Sequence, residues 1–235
     1  MTEEILAEIR AHAERAYPLE SCGVVIICKG RERYVPCRNL AQGADHFILH
    51  PEDYAHAEEA GEIVTIVHSH PNAAPTPSQA DRVACEASGL PWCIVNWPTG
   101  EYAELEPAGY EAPLVGRQFC FGVLDCYTLI RDYYRRELQI ALPNFERTDG
   151  WWTRGEDLYR KHFAEAGFVR VPDEELKPHD VLLMQLSADQ PNHGGVYLGD
   201  DRILHHVMHR LSTRDVYGGY WQHITVMTLR HEALR

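Results

Sequence analysis

Two histidines one residue apart, His68 and His70, close the β-branched run EIVTIVHSHP, and a proline-rich loop then leads to Ser78 and Asp81 in SQAD. On a strand, residues i and i+2 point to the same side, so both imidazoles can offer a nitrogen to one ion about 2 Å away. Asp81, at the start of a helix, completes a His, His, carboxylate set with a fourth position open for water, the pattern of a catalytic rather than a structural zinc site. Such chemistry also needs a base for the water's proton and a donor for the developing oxyanion. Glu20, in YPLESCGVVI, is a carboxylate at the mouth of an apolar strand, a setting that raises its pKa toward a general base's range. Ser78 is placed to donate to the oxyanion.

A second set lies further on. In GVLDCYTLIRDYY, Cys126 stands at the N-terminal end of a helix with Asp125 as its cap, where the partial positive charge favours a thiolate and lowers its pKa. A base follows 67 residues later: His193 in NHGGVYLG, at the start of a strand whose glycines leave room for a substrate. His205, in ILHHV on the paired strand, is placed to face His193 and orient it, whereas strand alternation turns His206 to the opposite side. His46, His50 and His56 read as solvated loop and helix residues, and Trp151-Trp152 as core or as the wall of a substrate groove.

The elements that must carry these residues can be traced from pattern. Residues 1–17 read as an amphipathic helix, and ESCGVVIICKGRERYVPCRNL as a hairpin turned at Lys29-Gly30. HFILHPEDYAHAEEAG reads as a short strand and a helix from Pro51. Next come the strand bearing the histidines, a helix capped by Ser78 and stopped by Gly89, and the strand PWCIVNW, giving an α/β module of about 105 residues. ELEPAGYEAPLVGR is aperiodic and rich in Pro and Gly, so a boundary falls between Pro107 and Pro113. The expected domains are residues 1–107 and 113–235. Beyond the boundary, DCYTLIRDYYRREL and TRGEDLYRKHFAEAG read as helices, the latter ending at Gly167. DVLLMQL and a hairpin about Gly199-Asp200-Asp201 read as strands, so the second module is α+β.

Composition narrows the function. A net charge of −13 argues against nucleic-acid binding, which needs clustered Lys and Arg. The charge is uneven: residues 1–110 carry 7 Lys+Arg against 17 Asp+Glu, and residues 111–235 carry 15 against 18. The N-terminus lacks the pattern of a secretion signal, and no apolar run approaches the roughly 20 residues of a membrane span, so synthesis and folding in a cytosol are expected. The seven cysteines form neither a disulfide framework nor CxxC zinc pairs. Cys22, Cys28, Cys85, Cys93 and Cys120 read as buried small hydrophobes.

Glu20 together with HSHPNAAPTPSQAD resembles the JAMM (MPN+) metalloprotease motif: a Glu, His-x-His-Pro, seven residues between His70 and Ser78, and two between Ser78 and Asp81. The resemblance implies that His68, His70 and Asp81 bind zinc, that Glu20 is the general acid/base, that Ser78 assists the oxyanion, and that residues 1 to about 105 form a small α/β sandwich. Residues 111–235 resemble the NlpC/P60 family of papain-like cell-wall peptidases, through Asp125-Cys126, PHDVLLMQ and HGGVYLGDDRILHH. That resemblance implies Cys126 as nucleophile, His193 as base and His205 as third member of the triad. The sequence departs from the family at His179, where a Gly is usual, and in having Phe119 and Phe121 where a tyrosine precedes the cysteine.

The two modules in succession are similar to the tail assembly protein K family of lambda-like bacteriophages and prophages. This implies a protein made in the host cytoplasm that acts in tail-tip assembly, with tail-tip proteins as partners, and that reaches the periplasm with the tail tip. It also implies cleavage of peptidoglycan stem peptides by the second module, and of an amide or isopeptide bond by the first. The rival expectation is a structural assembly factor whose sites are vestigial or serve docking. A deubiquitinase-like activity rests on JAMM analogy alone.

Overall fold

The computed structural model describes residues 1–41, 43 and 46–235. Its backbone divides into two compact units, Met1–Glu111 and Ala112–Arg235.

In the first unit, Thr2 caps helix α1 (Glu3–Ala16), whose apolar stripe Ile5, Leu6, Ile9 and Ala13 is buried. Strands β1 (Cys22–Cys28) and β2 (Arg31–Cys37) form the expected hairpin. At its turn, Lys29 and Gly30 both take positive φ. The strand expected at HFILH is reduced to a single bridge, Asn39 to Leu49. The Asn39 side chain accepts from the N–H groups of Ala41 and Ile48, so these donors are met by a side chain rather than by a strand partner. Helix α2 (Pro51–Ala60) is capped by His50, whose ring nitrogen accepts from the Glu52 N–H, so His50 is a cap rather than a solvated bystander.

Strand β3 (Glu62–Pro71), helix α3 (Gln79–Ser88) and strand β4 (Trp92–Trp97) make a crossover, with β3 and β4 parallel. Strand β5 (Tyr102–Leu105) closes a sheet ordered β2-β1-β3-β4-β5. Alternation along the strands divides the core. Val25, Val67, Cys93 and Val95 pack with Ile5 and Ile9 of α1 on one face. Val24, Ile26, Ile66 and Trp92 pack with Ala57 of α2 and Cys85 of α3 on the other.

In the second unit, α4 (Cys126–Leu138) buries Leu129, Ile130, Tyr133 and Tyr134. The long helix expected over TRGEDLYRKHFAEAG does not form. Gly155 adopts φ 79, Asp157 then caps only the five-residue α5 (Leu158–His162), and Gly167 at φ 82 redirects the chain. Six strands follow: β6 (Phe168–Val171), β7 (Val181–Met184), β8 (His193–Gly199), β9 (Arg202–His205), β10 (Thr213–Val216) and β11 (Thr225–His231). The short helix α6 (Tyr220–His223) precedes the last of them. The antiparallel sheet has the order β10-β9-β8-β7-β11-β6, and β6 precedes the stretch from DVLLMQL onward in which strands are expected. Helix α4 packs on the face carrying Val181, Leu183, Val196 and Leu229. The opposite face carries Leu182, Met184 and Ile203 beneath Tyr197, Tyr217 and Trp221.

Among the described residues no helix is long and apolar enough to cross a membrane. All seven cysteines are free, and Cys28 and Cys120 are half-buried rather than core residues.

Candidate active sites

The metal-ligand candidates come together at the end of β3. His68 and His70 share the face that Ile66 presents to α2 and α3, and α3 brings Asp81 over them. The His68 and His70 Nε2 atoms are 3.1 Å apart. The Asp81 carboxylate spans both, with Oδ1 3.3 Å from His68 Nε2 and Oδ2 3.5 Å from His70 Nε2. The capping box fixes this carboxylate, since Ser78 N–H donates to Asp81 Oδ2 at 2.7 Å and Asp81 N–H donates to Ser78 Oγ at 3.1 Å. The Ser78 hydroxyl therefore accepts within its own helix and keeps its proton to donate outward.

The surroundings aim both rings. His70 Nδ1 lies 3.0 Å from the Ala74 carbonyl, which leaves Nε2 to face the cluster. That loop is tied down by the buried Asn96, which donates to the Ala73 carbonyl. His68 is fully buried, stacked on Phe47 at 4.6 Å and edge-on to Trp92 at 5.4 Å, and its Nδ1 has no partner among the described residues. Burial lowers the His68 pKa despite the nearby Asp81. For His70, burial pulls the same way, but Asp81 and the Ala74 carbonyl outweigh it and the pKa rises. Burial would raise the Asp81 pKa, yet the bonds from both histidines hold it well below the usual carboxylate range. Two nitrogens and a carboxylate oxygen, all within 4.8 Å of one another, fit a zinc ion.

Glu20 is buried, and its charge acts on His70. The register explains why: Cys22 pairs with His68, Ser69 N–H donates to the Ser21 carbonyl, and continuing that ladder sets Glu20 opposite His70.

In the second unit, Asp125 caps α4 through a box with Thr128, so Cys126 occupies the first helical position. Asp125 is itself held by Arg147 at 2.8 Å. Cys126 is half-buried at the wall of a cavity of about 350 Å³ lined by Phe119, Trp151, Trp152, Tyr159 and His193, among others. A space of that size suits a small peptide segment. The aromatic pair Trp151-Trp152 therefore lines the cavity, with Trp151 buried. The sulphur hydrogen bonds with Tyr159 Oη at 3.3 Å rather than with His193. The helix end does not lower the Cys126 pKa as expected. Burial pushes it up, Asp125 adds to this, and hydrogen bonds from Tyr159 and the Gly194 N–H offset only part.

His193, on the first residue of β8, has its Nε2 3.0 Å from Nδ1 of His205 on β9. That leaves His193 Nδ1 as the nitrogen available to a thiol. His206 also lines the cavity, but its Nε2 is bonded to the Arg210 carbonyl at 3.1 Å rather than to His193. Tyr159 and Asp215 were not foreseen. Tyr159 sits on the collapsed α5, and Asp215 on β10, whose Oδ2 lies 3.0 Å from His205 Nε2. In sequence, the only trace of β10 is a four-residue run, TRDV, with one apolar residue.

The chain is thus a JAB/MPN-like domain followed by an NlpC/P60-like domain. Residues 2–106 match the model for prokaryotic homologs of the JAB domain, and residues 116–230 match the NlpC/P60 family. It belongs to the tail tip assembly protein K family. The tail tip assembly protein K of Escherichia phage N15 is 42% identical over 100% of this chain and 97% of its own length. That of Escherichia phage lambda is 42% identical over 80% of this chain and 91% of its own. A solved JAB1/MPN domain protein from Archaeoglobus fulgidus is 21% identical, covering 46% of this chain and 90% of that one, with a TM-score of 0.31.

Proposed function

We propose that this is a tail-tip assembly protein with two peptidase sites. The observation that carries the reading is that Cys126 and His193 line one cavity, with His205 hydrogen-bonded behind His193. In the second domain, Cys126 attacks the carbonyl of a peptidoglycan stem peptide and His193 Nδ1 takes the thiol proton. His193 returns that proton to the departing amine as the acyl-enzyme forms. It then takes a proton from water, which attacks the thioester and frees the thiol with the new carboxyl product.

In the first domain, His68 Nε2, His70 Nε2 and an Asp81 oxygen would hold zinc, which supplies a Lewis acid and lowers the pKa of water. Glu20 takes up the proton of the attacking water and passes it to the leaving amine. Ser78 donates its hydroxyl proton to the carbonyl oxygen as charge develops there. The bond cut is an amide or isopeptide, in a tail protein or a cell-wall cross-link.

The test is mass spectrometry of fragments released from purified peptidoglycan by wild type, Glu20→Ala and Cys126→Ala protein. Loss of fragments with Cys126→Ala alone supports the cysteine-peptidase reading, and unchanged fragments from that variant sink it. The relatives' assembly role favours a second reading, a scaffold with vestigial or docking sites. A phage carrying both Glu20→Ala and Cys126→Ala that still yields infectious tails would establish it.

A further inference from the structure

Three residues step diagonally across neighbouring strands on the face of the second sheet away from α4. His205 pairs directly with Gly195 on β8 and with Thr213 on β10. His193 is two residues before Gly195, and Asp215 is two residues after Thr213, so each is a diagonal neighbour of His205 on the same face. The side chains lean together into an unbroken line. His193 Nε2 is 3.0 Å from His205 Nδ1, and His205 Nε2 is 3.0 Å from Asp215 Oδ2. Gly195 keeps the line open, because a Cβ there would stand 3.0 Å from His205 Cβ and 2.7 Å from Ile203 Cδ1. Trp221 covers His205 edge-on, with ring centres 4.4 Å apart, and His205 is 1% exposed.

We propose that Asp215 is a positioning residue that sets, through His205, which nitrogen of His193 faces the substrate cavity as a base. The inference rests on the cysteine-peptidase reading of this site. A carboxylate only accepts, so it takes the proton of His205 Nε2–H. A neutral His205 then has a bare Nδ1, which accepts from His193 Nε2–H. His193 is left with a bare Nδ1 to receive the thiol proton. A pair of histidines without Asp215 has no such direction, since each neutral ring can present either nitrogen as donor. Burial lowers the pKa of both histidines, which keeps them neutral as this assignment requires.

The assignment can be read on the full chain labelled with 15N at histidine, in long-range proton–nitrogen NMR spectra. Wild type is expected to show Nε2–H tautomers for both His193 and His205, and Asp215→Ala to show mixed tautomers at both. Peptidoglycan cleavage by Asp215→Ala should lose about 10- to 100-fold in kcat with KM little changed, the scale on which an outer partner orients a working imidazole. Asp215→Asn, which keeps an acceptor oxygen, should recover the tautomers and part of the rate. Wild-type tautomers in Asp215→Ala would overturn the proposal, as would Nδ1–H at either ring in wild type. If wild type cleaves no peptidoglycan, the peptidase reading fails, while the nitrogen spectra still decide what Asp215 does.

Discussion

The hydroxyl of Tyr159 lies 3.3 Å from the sulphur of Cys126, although 33 residues separate them in sequence. The tyrosine is the polar neighbour of Cys126, and its bond favours the thiolate against a burial that disfavours it. Tyr159→Phe is therefore expected to slow alkylation of Cys126 at pH 7.5 by about tenfold, what a bond of 1–2 kcal/mol to a charged sulphur is worth. Peptide mapping after iodoacetamide treatment separates Cys126 from the other six cysteines. An unchanged rate would mean that the hydroxyl gives the sulphur no help.

Zinc should stabilise the first domain. Free zinc at 100 times its dissociation constant contributes about 2.7 kcal/mol, and a melting transition should rise accordingly. His68→Ala and Asp81→Ala each remove a ligand and should abolish both the rise and the zinc retained after dialysis, measured by elemental mass spectrometry. Equal zinc in wild type and His68→Ala would argue against this centre.

Acid should loosen the second domain. Burial holds the His193 pKa down to about 3, that of His206 down to about 4, and that of His205 below its usual value. Unfolding restores all three toward about 6.5, so the unfolded chain binds more protons below that pH. Stability from these rings is complete above pH 6.5 and is lost as the pH falls through 4 toward 3. Urea midpoints read from methyl signals of Ile130 and Leu204 should be lower at pH 4.5 than at pH 7, and equal midpoints would contradict the neutral assignment.

If the second domain is a peptidase, Gly195→Ala should impair cleavage while leaving the candidate metal site of the first domain untouched. The added methyl meets Ile203 and His205, both on a packed strand. Overpacking of this kind costs about 1–3 kcal/mol, and peptidoglycan turnover should fall while zinc content stays at the wild-type level. Full turnover would show that β9 gives way without disturbing His205.

The first site was legible because its candidate ligands lie close along the chain. A strand with period two, a loop and a capped helix bring His68, His70, Ser78 and Asp81 together whatever the rest of the fold does. Glu20 was legible only as a carboxylate before an apolar strand, and it took the β1–β3 register to set it opposite His70. In the second domain, Asp125 announced a helix start, and the hairpin between His193 and His205 followed from its turn residues.

Tyr159 and Asp215 were hidden for different reasons. The helical periodicity around Tyr159 outweighed Gly155, whose left-handed backbone cuts the helix short. Asp215 lies on an edge strand whose residues alternate between half-buried and exposed, so it carries no apolar pattern to betray it. The strand expected at HFILH failed because one asparagine side chain satisfied the backbone locally.

Arg117 is wholly buried, paired with Asp132 at 2.8 Å and donating to the carbonyls of Ala112 and Pro113, while Arg136 also donates to Ala112. The second domain thus grips the first residues of its own chain with two guanidinium groups. Anyone wishing to express that domain alone should start no later than Glu111. A fragment beginning at Pro113 would strip both arginines of the Ala112 carbonyl, and one beginning at Gln118 would leave Asp132 without its buried counter-ion.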